Sequence, residues 1–88
     1  MNLIEMKEKL YNILSNNGVE YTENDNEEIM LDSIDFVSII VEIENEFDIV
    51  ISEEFIQIDK LRTVNQFIVM IASELGMRDL ISDAIKGN

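Results

Sequence analysis

The sequence contains no cysteine, no histidine and no proline. Without cysteine no disulfide framework can form, and with histidine also missing the usual ligands of a zinc site are absent. Histidine is also the commonest general base near neutral pH, which excludes an enzyme built on one. The absence of proline means that no helix is interrupted by a residue lacking a backbone N–H. The chain is thus free to form uninterrupted helices and poor in the side chains that most often carry catalysis.

Positive charge is also scarce. The 88 residues include 19 acidic and only 6 basic side chains, a formal net charge of −13. Such a surface repels the phosphates of nucleic acids and of anionic membranes, so we expect neither as a partner. It attracts partners with basic patches, because complementary charge speeds encounter. A second interpretation is that the acidity only keeps a small domain in solution.

No segment has the pattern of a membrane span or a secretion signal. The first ten residues include Glu5, Lys7, Glu8 and Lys9, which is not the pattern of a signal peptide, and no apolar run is long enough to cross a bilayer. Hydrophobic residues make up 47% of the chain, too many for a disordered acidic segment, and the length suits one domain. We therefore expect a monomeric protein of the cytoplasm.

Apolar residues recur at helical spacing in several segments. The pattern predicts helices at 2–16, 32–47 and 63–75, and a short one near 55–61. Gly18 and Gly76 stand where two of these helices should end. The sequence thus predicts an all-α fold, a small four-helix bundle with a long first loop and a short third helix. This bundle should occupy residues 1–76, followed at 77–88 by a C-terminal extension that forms a short helix or a tail.

The most informative segment is Leu31-Asp32-Ser33-Ile34-Asp35, where the long loop meets the second helix. A helix N-terminus exposes free N–H groups and the positive end of the helix dipole, which would stabilise a phosphate bonded to a serine there. The plainer interpretation is that Asp32 or Ser33 is the helix cap, since such caps are common. Taken alone, the pentapeptide favours the cap.

The surrounding residues reverse this balance. The chain reads Asp-Ser-Ile-Asp-Phe-Val at 32–37, Glu-Ile-Glu-Asn-Glu-Phe-Asp-Ile at 42–49, Ile-Ser-Glu-Glu at 51–54 and Leu-Arg-Thr-Val at 61–64. Over about residues 3–75, these segments and their spacing resemble the acyl carrier protein family. Met30 stands where that family usually has glycine, and Ser52 stands where it usually has proline. These departures suggest a specialised carrier.

The resemblance implies a freestanding carrier with no catalytic activity of its own. Ser33, with Asp32 as its motif neighbour, would receive a 4′-phosphopantetheine arm from coenzyme A, transferred by a Mg²⁺-dependent phosphopantetheinyl transferase. The thiol of the arm would hold acyl groups as thioesters for acyl-loading and acyl-processing enzymes of a fatty-acid, polyketide, nonribosomal-peptide or related pathway. The alternative function is an acidic helical interaction domain that binds a basic partner and is never modified.

The second helix also carries a candidate partner surface. Ile34, Ser38, Val41 and Asn45 share a face opposite its apolar stripe. Exposed apolar residues rimmed by carboxylates would suit basic, partly apolar docking patches on the partner enzymes. The predicted partner-binding residues are Ile34, Asp35, Ser38, Val41, Glu42, Glu44 and Asn45.

The acidic segment 23–28 is the one candidate for a cation site. It lacks the central glycine and the spaced ligands of an EF-hand loop. We therefore predict no dedicated metal site.

Overall fold

A computed structural model describes residues 1–77 of the chain. This part of the chain contains three α-helices. They are α1 (Leu3–Asn16), α2 (Ser33–Phe47) and α3 (Val64–Leu75), and a single 3₁₀ turn (Glu53–Phe55) lies between α2 and α3. The class is all-α, as predicted, but the four-helix count is not confirmed. The predicted extension at 77–88 lies outside the described residues except for Met77, which packs against the core.

Helix α1 begins and ends at the predicted signals. Asn2 is its N-cap, and the Oδ1 atom of Asn2 accepts a hydrogen bond from the Glu5 amide at 2.8 Å. Gly18 takes the left-handed conformation with φ of 69°, which costs glycine little because it has no Cβ. The amide of Val19 then bonds back to the Leu14 carbonyl at 2.9 Å, which closes the end of the helix.

The core lies where the apolar faces of the three helices meet. The predicted stripes of α1, α2 and α3 are buried, apart from Leu3 and Leu75, which are partly buried. The patterns did not single out Ile39 or Met70, both of which are buried. Helix α3 begins with a capping box, because Thr63 and Gln66 each accept a hydrogen bond from the other's backbone amide. No helix among residues 1–77 is long and apolar enough to cross a membrane.

The predicted short third helix is replaced by the 3₁₀ turn. The hydroxyl of Ser52 donates to Glu74 Oε1 at 3.0 Å and makes no capping bond. Ile56 and Ile58 each remain 39% exposed. A helix this short has to be held by a cap or by burial, because the first turn is costly to form. The segment near 55–61 has no side-chain capping bond. Within it, only Phe55 and Leu61 pack against the core.

The long loop before α2 is anchored to α1 and α3. Val19 and Ile29 are buried. Asp25 accepts hydrogen bonds from Lys7 Nζ and from the Tyr11 hydroxyl of α1, both at 2.7 Å. The Asp25 carbonyl accepts the amide of Asn65 in α3 at 3.0 Å. These contacts hold the loop, and with it the residues just before α2, in a defined position.

Candidate functional site

Ser33 is the first residue of α2, and Asp32 is its cap. The Asp32 Oδ1 atom accepts a hydrogen bond from the Asp35 amide at 2.8 Å. The Ser33 side chain is exposed, and its hydroxyl makes no hydrogen bond to any described residue. Of the two candidate cap residues, Asp32 is therefore the one that caps the helix. The Ser33 hydroxyl is left accessible to a reaction partner.

The amides of Ser33 and Ile34 have no acceptor within residues 1–77. They belong to the unpaired donors at the start of every α-helix, where the helix dipole is positive. A phosphate on Ser33 would lie near them. The dipole contributes only about 0.3–1 kcal/mol at an exposed site, and the carboxylates of Asp32 and Asp35 oppose a further negative charge. The site can therefore accommodate a phosphate that is covalently bonded, but it is not built to capture a free one.

The Ser33 hydroxyl has no general base of its own. The chain contains no histidine, and the Asp32 carboxylate is directed to the backbone by its capping bond. A serine without an adjacent base is a weak nucleophile. Reaction at the Ser33 hydroxyl would therefore need a base from outside this chain.

The candidate partner face of α2 is largely exposed. Ile34 is 81% exposed, Val41 is 48% exposed, and Asn45 is also exposed. The structure adds Val37, which is 59% exposed and lies beside them. The sequence alone could have indicated Val37, because it lies three residues after Ile34 and four before Val41, the spacing of neighbours on one helix face.

Two residues of the predicted face are held by contacts within the protein. The Ser38 hydroxyl donates to Asn17 Oδ1 at 2.7 Å and is partly buried. Asn17 in turn donates to the carboxylate of Glu42. These bonds tie the end of α1 to the middle of α2, so Ser38 and Glu42 contribute to helix packing whatever they do at the surface.

Glu44 has a different position from the other predicted partner residues. Its Oε2 atom accepts a hydrogen bond from the Ile51 amide at 3.0 Å, and its side chain is partly buried. This contact closes the turn after α2, where Asp48 has a left-handed φ of 53°. The structure therefore gives Glu44 a local structural contact and separates it from the exposed apolar face.

Two depressions lie beside the end of the loop that precedes α2. One, of about 400 Å³, is lined by acidic residues that include Glu20, Glu27, Glu28 and Asp35. The other, of about 240 Å³, is lined by Ile58, Leu61, Arg62 and the end of the loop. Met30 borders both. Among residues 1–77 no group of three or more His, Cys, Asp or Glu side chains is placed to hold a metal ion.

The family model for the phosphopantetheine attachment site matches residues 18–71, more than half of the chain. The chain belongs to this family. The matched segment contains the anchored loop, all of α2 and most of α3, with Ser33 at the loop–helix junction. No curated protein and no solved structure shows significant similarity to the chain.

The domain of this family is the attachment site for a cofactor, covalently bound 4′-phosphopantetheine. The residues around Ser33 fit this group. The hydroxyl is exposed and gives up no hydrogen bond when it is esterified, and two neighbouring amides are unpaired. The sulfur that the chain lacks would come from the arm.

Proposed function

We propose that this protein is an acyl carrier in which Ser33 bears the 4′-phosphopantetheine arm. The observation that supports the proposal most directly is that Asp32 and Ser33 have different roles at the start of α2. Asp32 satisfies the helix end, while the adjacent serine hydroxyl is exposed and uncommitted. The family match to residues 18–71 includes this junction and supports the same assignment.

Attachment would proceed by attack of the Ser33 Oγ atom on the pyrophosphate of coenzyme A. A bond forms between Oγ and the phosphorus next to the pantetheine, and the bond from that phosphorus to the adenosine bisphosphate breaks. The hydroxyl proton passes to a base on the phosphopantetheinyl transferase, because the chain offers no histidine. The role of this protein is to present the oxygen on a rigid helix end.

The arm supplies the thiol on which acyl groups are carried as thioesters. We propose delivery to acyl-loading and acyl-processing enzymes of a fatty-acid, polyketide, nonribosomal-peptide or related pathway. The exposed face of α2 supports docking on such enzymes. It presents Ile34 and Val41 beside Asp35, and the whole of α2 contains no basic residue. Ser38, Glu42 and Asn45 complete the proposed contact surface.

Incubation with coenzyme A and a broad-specificity phosphopantetheinyl transferase, followed by intact-mass measurement, tests the attachment. We expect the wild-type protein to gain the mass of one phosphopantetheine and Ser33→Ala to gain none. Ser52→Ala is a suitable control, because Ser52 is also exposed but its hydroxyl bonds to Glu74 at 3.0 Å. If the wild type gains no mass while a known carrier is modified in parallel, the carrier function is rejected and the alternative of an unmodified acidic interaction domain is favoured.

A further inference from the structure

Met30 is the most exposed of the large hydrophobic residues in the described part of the chain, at 84%. Its neighbours turn inward, since Ile29 is buried and Leu31 is partly buried against the core. The amide of Ile29 is fixed by a 2.7 Å hydrogen bond to the Arg62 carbonyl. The backbone at this point is therefore anchored from the inside, and the methionine side chain points away from the core.

The position of Met30 is close to the attachment serine. They are three positions apart in the chain, so their Cα atoms are at most about 11 Å apart. Met30 also borders the acidic depression to which Asp35 of the first turn of α2 contributes. A protein that binds around the Ser33 hydroxyl can therefore also contact the exposed Met30 side chain.

Met30 is continuous in sequence with the exposed apolar residues of α2. Ile34, Val37 and Val41 are 81%, 59% and 48% exposed. Single exposed apolar residues are normal on a protein surface, whereas a series of them beside charged residues is typical of an interaction site. Met30 precedes this apolar strip in the sequence, and Ser33 lies between Met30 and Ile34.

We propose that Met30 is a recognition residue for the phosphopantetheinyl transferase that modifies Ser33, an inference that rests on the proposed carrier function. The transferase would bury the thioether in an apolar recess beside its active site. Basic side chains around that recess would face the carboxylates of Glu20, Glu27 and Asp35 in the adjacent depression. Charge complementarity selects such a basic partner, because the face offers carboxylates and no lysine or arginine on α2.

The test compares Met30→Gln with the matched variant Val50→Gln. Val50 is also apolar and 82% exposed, but it lies beyond the far end of α2, about 20 Å from Ser33 along the helix. Steady-state loading by coenzyme A and a broad-specificity transferase is measured for each variant. We expect Met30→Gln to raise the KM for the carrier about tenfold, equivalent to about 1.4 kcal/mol, with kcat unchanged. Val50→Gln should match the wild type, and Met30→Leu should restore most of the loss.

Each outcome separates this inference from the carrier function. Equal loading constants for Met30→Gln and wild type would overturn the role of Met30 while leaving Ser33 as the attachment site. A matching loss in Val50→Gln would also overturn it, by showing a general response to lost apolar surface. Absence of any loading in the wild type would reject the carrier function and the inference with it. Circular dichroism of both glutamine variants checks that the fold is retained.

Discussion

The carboxylate of Asp32 accepts the amide of Asp35 at 2.8 Å, and this contact explains how an exposed serine can begin a helix. Serine is itself a common cap residue. Here the aspartate takes that position one residue earlier, so the chain needs nothing from the Ser33 hydroxyl to stabilise α2. The Ser33 hydroxyl could therefore be esterified without loss of the cap at this helix end.

Replacement of Asp32 should show how much its capping bond contributes to the stability of the fold. Asp32→Ala removes the cap and should lower the free energy of unfolding by about 1 kcal/mol. Asp32→Asn should preserve most of the stability, because an asparagine oxygen can accept the same amide. Urea unfolding of both variants measures the difference. Equal stability of Asp32→Ala and wild type would show that the Asp35 amide finds another acceptor.

Much of the fold could be predicted from the sequence because the ends of its three helices carry strong local signals. Asn2 and Thr63 are caps, and Gly18 and Gly76 take left-handed conformations at helix ends. These signals act over three or four residues, so a reader of the sequence can locate them. The first residue of α2 was predicted to within one position for the same reason.

What could not be predicted depends on contacts between distant residues. The segment near 55–61 has helical spacing, yet Ser52 bonds to Glu74, 22 residues away, and no helix forms beyond one 3₁₀ turn. Helical spacing also does not reveal that the Glu44 carboxylate accepts the Ile51 amide, seven residues further along the chain. At Ser33 the residue type was visible in the sequence, whereas the exposure of its hydroxyl and of Met30 required the structure.

Charge reversal at Asp35 should weaken enzyme recognition more than it weakens the fold. Asp35→Lys places a cation beside Ser33, where the proposed partners present basic side chains, so we expect kcat/KM for loading to fall about tenfold at low salt. Glu5→Lys is the matched control, because Glu5 occupies the same position behind the cap of α1 and the net charge changes equally. Each substitution should cost about 0.3–1 kcal/mol through the helix dipole. Equal loading of the two variants would contradict a partner surface at Asp35.

Glu44 and Glu46 should behave differently when each is shortened to alanine. Glu44→Ala leaves the Ile51 amide without its acceptor, and we expect a loss of about 1–2 kcal/mol in the free energy of unfolding. Glu46 pairs with Lys9 at 3.8 Å, and both side chains are substantially exposed, so Glu46→Ala should change stability by less than about 0.5 kcal/mol. Chemical unfolding compares the two. A larger effect at Glu46 would mean that the turn after α2 does not depend on Glu44.

The Tyr11 hydroxyl donates to Asp25 at 2.7 Å, and the ring stacks on Tyr21 with centroids 4.8 Å apart. Burial, and then the hydrogen bond to the Asp25 carboxylate, raise the pKa of Tyr11 above its usual value of 10.0. The Tyr11 hydroxyl can donate this hydrogen bond to the loop only while it is protonated.

Tyr11→Phe should therefore change both the stability and its dependence on pH. At pH 7 we expect a loss of about 2 kcal/mol, because the hydrogen bond to a charged partner is removed. Since the pKa is raised in the folded state, the unfolded chain loses the Tyr11 proton first as pH increases above about 10. Stability should then fall by up to about 1.4 kcal/mol per pH unit in the wild type, and this contribution should vanish in Tyr11→Phe. Tyr21→Phe, which keeps the ring stack, is the control and should retain the slope. Denaturant unfolding between pH 7 and about pH 11.5 measures all three proteins, and identical slopes in wild type and Tyr11→Phe would show that Tyr11 is not the titrating group.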